Sequence, residues 1–248
     1  MAELIPIQTP DGTAEAFLAR PMQEPKGGVL FFMDAIGLRP RIAEMVEEIA
    51  SWGYVVLAPN VFYRWGSAAD LEPKVDLRDP EERARYFEVS GVGQLLASLT
   101  PDMVARDIPA YVERLQDELP NDSKLATTGY CMGARLAMRA AGQFPGTIVA
   151  VGGFHGGGLV IDDPQSPHTA VTAEAEYVFG HADNDRGMTP EDAAALEAAL
   201  EAVGATYTAA IYPDAPHGYT MSDTASWHEP SYRRHVHELR ALLERRLG

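Results

Sequence analysis

The chain has 248 residues, 46% hydrophobic and 23% charged, which are ordinary values for a folded domain and argue against disorder. Twenty Lys+Arg against 36 Asp+Glu give a formal net charge of -16, a field that repels phosphate backbones and anionic lipid and so speaks against nucleic-acid and membrane partners. One cysteine excludes an intramolecular disulfide and any cysteine-rich metal site.

In chain order, the start (Met1 to Pro10) carries Glu3 and lacks the basic region and apolar core of a secretory signal. No apolar run is long enough to span a bilayer, so a cytoplasmic location is expected. Leu4–Thr9 and Ala14–Arg20 flank the turn signal Pro10-Asp11-Gly12 and predict an antiparallel hairpin at a sheet edge. Gly28–Met33 is a continuous apolar run suited to a strand buried on both faces. Ile42, Met45, Val46 and Ile49 repeat at helical spacing, and Tyr54–Pro59 reads as another buried strand.

Residues 60–100 break the pattern. They are rich in charge, Gly and Pro, with Tyr63, Trp65 and Tyr86 scattered among them, and predict an irregular insertion with one or two short helices forming a wall or lid. A helix over Asp102–Leu119 follows, in which Pro109 is expected to introduce a kink. The alternation then resumes, with strands at Lys124–Thr128, Ile148–Phe154, Glu176–Gly180 and Thr206–Tyr212. The helices are Met132–Phe144, Pro190–Val203 and Tyr232–Leu247, the last with a stripe of Val236, Leu239, Leu243 and Leu247 read as core packing. Strands alternating with helices predict one α/β domain over residues 1–248, with a mostly parallel central sheet flanked by helices.

The most informative residues are Gly129-Tyr130-Cys131-Met132-Gly133, between a predicted strand and a predicted helix. A nucleophile on a sharp strand-to-helix turn takes a strained backbone conformation, so its neighbours two positions away must be small. The turn also places the thiol at a helix N-terminus, where dipole and amides favour the thiolate. The amide of Met132 then supplies one half of an oxyanion hole. In such a fold an acid and then a histidine follow along the chain. Asp183, after the strand ending at Gly180, and His217, between the last strand and the last helix, meet that order and predict a Cys131–His217–Asp183 triad. Asp185 is the rival acid. His155, before a run of glycines, is a candidate for lining the pocket, whereas His181, His228, His235 and His237 read as surface residues. Ser90 lacks the flanking glycines of a serine nucleophile. No histidine spacing suits a metal, and no metal is expected.

These motifs resemble those of the dienelactone hydrolase family of α/β-hydrolases: Gly129-Tyr130-Cys131-Met132-Gly133, Gly180-His181-Ala182-Asp183 and His217-Gly218-Tyr219, within a similarity spanning most of the chain. The resemblance implies a cofactor-free cysteine hydrolase that takes a small-molecule ester or lactone. It further implies that Asp34, in Asp34-Ala35-Ile36-Gly37, stands where the family carries a glutamate beside the nucleophile, and that the Ala35 amide is the second oxyanion donor. Glu82-Arg83-Ala84-Arg85 resembles a stretch whose last arginine binds a substrate carboxylate, which implies Arg85, with neighbouring Tyr86, as a substrate contact. Met221 stands where the family's best-known lactonases carry a second carboxylate-binding arginine. The competing expectation is a ligand-binding or thiol-sensing protein that keeps the fold without turnover. A monomer or small homo-oligomer is expected, since the N-terminal edge strand is free to pair.

Overall fold

The computed structural model describes residues 1–248. The hairpin is β1 (Glu3–Thr9) and β2 (Gly12–Ala19), antiparallel as its turn signal requires. Then come β3 (Gly28–Phe32), α1 (Pro40–Ser51), β4 (Val55–Pro59), three short helices, α5 (Pro101–Gln116), β5 (Leu125–Tyr130) and α6 (Met132–Gln143). The chain continues through β6 (Ile148–Phe154), a 3-10 turn at Pro167–Ala170, β7 (Glu176–His181), α7 (Pro190–Val203), β8 (Thr206–Ile211) and α8 (Glu229–Leu247). The strands form one eight-stranded sheet in the order β1-β2-β4-β3-β5-β6-β7-β8, parallel from β4 to β8.

Crossovers explain the layers. The chain moves from β3 to β4 in one direction along the sheet and from β4 to β5 in the other, so right-handed connections place α1 and α5 on opposite faces. Helices α5 and α6 pack together on one face; α1 and α8 are joined across the other by the Tyr232 hydroxyl donating to Glu48. Strands β3 to β6 have covered faces, and every residue of each is buried, which is why β3 and β4 read as continuous apolar runs. Edge strand β1 alternates instead.

Three elements differ from expectation. The segment 60–100 is more regular than its composition predicts: it holds α2 (Ala68–Leu71), α3 (Pro80–Val89) and α4 (Val92–Ser98). Helix α3 starts where it does because the Asp79 side chain accepts from the amides of Glu81 and Glu82 and Pro80 occupies the first turn. Pro109 lies inside α5, which runs unbroken from Pro101 to Gln116. His181 and His235 are buried rather than on the surface. His235 shares the inner face of α8 with Leu239 and Leu242, and its Nε2 is hydrogen-bonded to the Tyr130 hydroxyl at 2.9 Å. No helix is long and apolar enough to cross a membrane.

The sheet reverses order around β3, whose neighbours are β4 and β5. The crevice at such a switch point opens beyond the carboxyl ends of these strands. Registers of Phe32 with Gly129, Tyr130 with Phe154, Phe154 with Gly180 and His181 with Ile211 bring those ends side by side. The loops that follow them carry Asp34, Cys131, His155, Asp185 and His217.

Candidate active site

Cys131 is the single residue between β5 and α6, at φ 56° and ψ -118°, a conformation that a side chain adopts only under constraint. The constraint is close packing on both sides of it. A Cβ on Gly129 would stand 2.0 Å from the Gly133 carbonyl oxygen, and one on Gly133 would stand 2.2 Å from that of Phe32. Both glycines are therefore obligatory, and the turn can be this sharp only because neither has a side chain. The Cys131 amide donates to Phe154 O at 3.1 Å, so the turn is pinned to β6.

A cleft of about 330 Å³ covers the thiol. Its floor includes Cys131, His155 and His217, and Asp34, Ala35 and Met221 stand at its side. His217 Nδ1 and Asp185 Oδ2 are 2.6 Å apart. Burial works against a charge on His217, but the hydrogen bonds to Asp185 and Cys131 outweigh it and push its pKa up to about 10. Burial raises the Asp185 pKa less than the His217 contact and the Gly187 amide lower it, so the carboxyl lies below its ordinary value.

The predicted acid thus needs correction: Asp185, not Asp183, bonds His217. Asp183 accepts from the Asp214 amide at 3.0 Å, and its own amide donates to Ala215 O at 2.7 Å. It ties down the loop that leads to His217. Asn184 between the two acids has φ 53°, and this left-handed residue sends their side chains in different directions.

Asp34 is in the cleft, but it is held. Arg39 donates to both its oxygens, Nη1 to Oδ1 at 2.6 Å and Nη2 to Oδ2 at 3.0 Å, and the Ile36 amide adds a third bond at 3.1 Å. Arg39 also donates to Asp223 at 2.6 Å and to Gly37 O at 3.0 Å. One guanidinium therefore joins the loop after β3 to the loop after His217. The Ala35 amide in that loop makes no hydrogen bond within the protein, and the Met132 amide, first in α6, has no helical acceptor.

His155 stands behind His217, their rings edge to face with centroids 5.4 Å apart. Burial, reinforced by the charge on His217, holds its pKa well below the ordinary value, so it is neutral, and its Nε2 meets Thr220 Oγ1 at 2.7 Å.

The substrate contacts predicted in the insertion also change. Arg83 and Phe87, four residues apart on one face of α3, line the cleft, together with Val92 and Leu96 of α4. Arg85 projects from another face and is exposed. Tyr86 packs on the core beside Arg39 and Asp34 rather than lining the cleft. Arg83 Nε is buried without a hydrogen-bond partner, and its guanidinium lies 5.1 Å from the centre of the Phe87 ring. The i, i+4 spacing of Arg83 and Phe87 was the available signal, hidden because the segment does not read as a helix. No cluster of three metal-ligating side chains is present.

A mostly parallel sheet with an N-terminal hairpin and a strained residue on the turn after a central strand defines an α/β-hydrolase fold. The chain matches the family model described as the dienelactone hydrolase family over residues 14–246 and belongs to that family, which makes it a hydrolase of the lactone and ester type. A Yersinia pestis protein provisionally named carboxymethylenebutenolidase is 25% identical over 224 residues, covering 87% of this chain and 78% of that one. The carboxymethylenebutenolidase of Pseudomonas putida is 26% identical over 164 residues, 64% of this chain and 63% of that one. A crystal structure of a provisionally named dienelactone hydrolase from Klebsiella pneumoniae superposes with a TM-score of 0.81 at 19% identity, covering 98% of both chains.

Proposed function

We propose that the chain hydrolyses a small ester or lactone with Cys131 as nucleophile, His217 as proton carrier and Asp185 as the acid that orients it. The observation that carries this reading is Cys131 on its strained turn, in one cleft with a histidine whose far nitrogen is bonded to a carboxylate. His217 takes the thiol proton, and sulfur bonds to the ester carbonyl carbon. The free amides of Ala35 and Met132 receive the developing oxyanion. The C–O bond then breaks, His217 returns the proton to the leaving oxygen, and a thioester is left on Cys131. Water, deprotonated by His217, releases the acid and restores the thiol. A thiolate leaves more readily than a simple alkoxide, so activated esters and enol-lactones are favoured over alkyl esters.

Asp34 is engaged by Arg39 and the Ile36 amide, which leaves proton transfer to His217. Arg83, which lines the cleft and whose buried Nε has no partner, supports a substrate that carries an acidic or strongly hydrogen-bond-accepting group. The test is turnover of activated aryl esters and a panel of lactones by the protein beside Cys131→Ala. We expect the variant to lose at least about 10³-fold in kcat. Equal rates in the two proteins would remove Cys131 from the reaction.

A further inference from the structure

Beside the cleft over Cys131 lies a second one of about 280 Å³, and the two share Leu96. Its walls are aliphatic, with Leu99, Val104, Leu136 and Ile161, and two half-buried guanidiniums, Arg135 and Arg139, project into it. Arg139 has a structural partner, the carbonyl of Gln165. Arg135 has none. It makes no hydrogen bond and no ion pair within the protein, in contrast to Arg39, Arg41 and Arg64, whose guanidiniums are all engaged. Asp163 also lines this cleft, but its carboxylate accepts from the Gln165 amide and is not paired with Arg135.

Arg135 is also close to the reacting residues. It sits one helical turn after Cys131 on α6. Consecutive residues of the loop after β6 connect it to the histidine: a Cβ on Gly157 would lie 3.7 Å from His217 Cε1, and one on Gly158 would lie 3.6 Å from Arg135 Nη1. Burial pulls the Arg135 pKa down, with only the Cys131 charge opposing it, and Arg139 is lowered by burial and then by the charge on Arg135, against the nearby charge of Asp163. Two like charges are thus held together, partly desolvated, in a protein of net charge -16. A partly desolvated cation with no bonded counter-charge, as Arg135 is, favours an anion strongly, and a guanidinium binds a carboxylate through two parallel hydrogen bonds.

We propose that this cleft is a second anion subsite of the active site, in which Arg135 receives a carboxylate at the end of an aliphatic acyl chain. The preferred substrates are then half-esters of aliphatic dicarboxylic acids. The inference rests on the reading of Cys131 as nucleophile for its catalytic consequence, but not for the binding itself.

The experiment therefore has two arms. In the first, kcat/KM is measured for the mono-4-nitrophenyl esters of succinic, glutaric and adipic acid and for neutral 4-nitrophenyl esters of matching length. The ratio of charged to neutral ester is expected to fall roughly 10- to 100-fold in Arg135→Met, and much less in Arg135→Lys, which keeps the charge. A ratio that is unchanged in Arg135→Met but collapses in Arg83→Met would overturn the assignment. In the second arm, glutarate is titrated calorimetrically into Cys131→Ala with and without Arg135→Met, so that binding is read without turnover. Glutarate binding lost with Arg135 supports the subsite even where no ester is hydrolysed; no binding, or binding indifferent to Arg135, removes it.

Discussion

The cleft has two sides built in different ways. On the sheet side, the positions of Cys131, Ala35 and His217 follow from a packed turn and from polar ties between loops: the turn flanked by Gly129 and Gly133, the Asp34–Arg39–Asp223 bridge and the Asp183 contact to Asp214. Helix α6 behind the thiol buries eight of its twelve residues. On the opposite side, α3 buries none of its ten and α4 only Val92. The difference separates two tasks. Bond-making groups need placement within fractions of an ångström, which packed strands and helices supply. The wall that meets the rest of the substrate is a polar helix with one side laid over the cleft, and its residues can change with little cost to the fold.

Substitutions sharpen that contrast. The largest effect falls on the sheet side, at the two acids. Asp185→Asn is expected to lower kcat about 10³-fold or more with the fold intact, because His217 loses its orienting charge, whereas Asp183→Asn costs less than about tenfold. Ester turnover by both variants, with circular dichroism to confirm folding, decides between them. Comparable losses would return the orienting role to Asp183.

Arg39→Met should come next. It leaves the buried Asp34 carboxylate without its cation, and breaking a buried pair from one side typically costs ~3–5 kcal/mol. Urea unfolding should show the midpoint displaced accordingly, and turnover should fall as the loop carrying Ala35 is released. An unmoved midpoint would mean that the bridge contributes nothing to holding the two loops.

The smallest effect is expected on the wall. Phe87 is 39% exposed, so Phe87→Ala should cost less than about 1 kcal/mol of stability. It removes the ring beneath Arg83, and KM should rise about three- to tenfold while kcat is kept. A change in kcat as large as that in KM would place Phe87 with the reacting groups and blur the division between the two sides.

How much of this was legible beforehand follows the same division. Strands β3 and β4 and the turn at Cys131 are visible in the sequence because their signals are local: unbroken apolar runs and a nucleophile between two glycines. The acid is predicted wrongly, Asp183 in place of its rival Asp185, since the choice depends on the left-handed φ of Asn184 between them. Arg83 was passed over for Arg85 because a charged, Pro- and Gly-rich segment conceals the period of α3, and that period alone says which arginine faces inward.

By itself the sequence determined the sheet, its strand-to-helix alternation, and the presence of a thiol, a histidine and an acid in the order such a sheet uses. Those features are written in burial patterns and in steric demands that reach only a few residues along the chain. The tertiary structure alone decided the pairing of His217 with Asp185, the capture of Asp34 by Arg39, and the solitude of Arg135. Each of these depends on the direction of a side chain leaving a loop or a helix face, and that direction is set by contacts with residues distant in the chain.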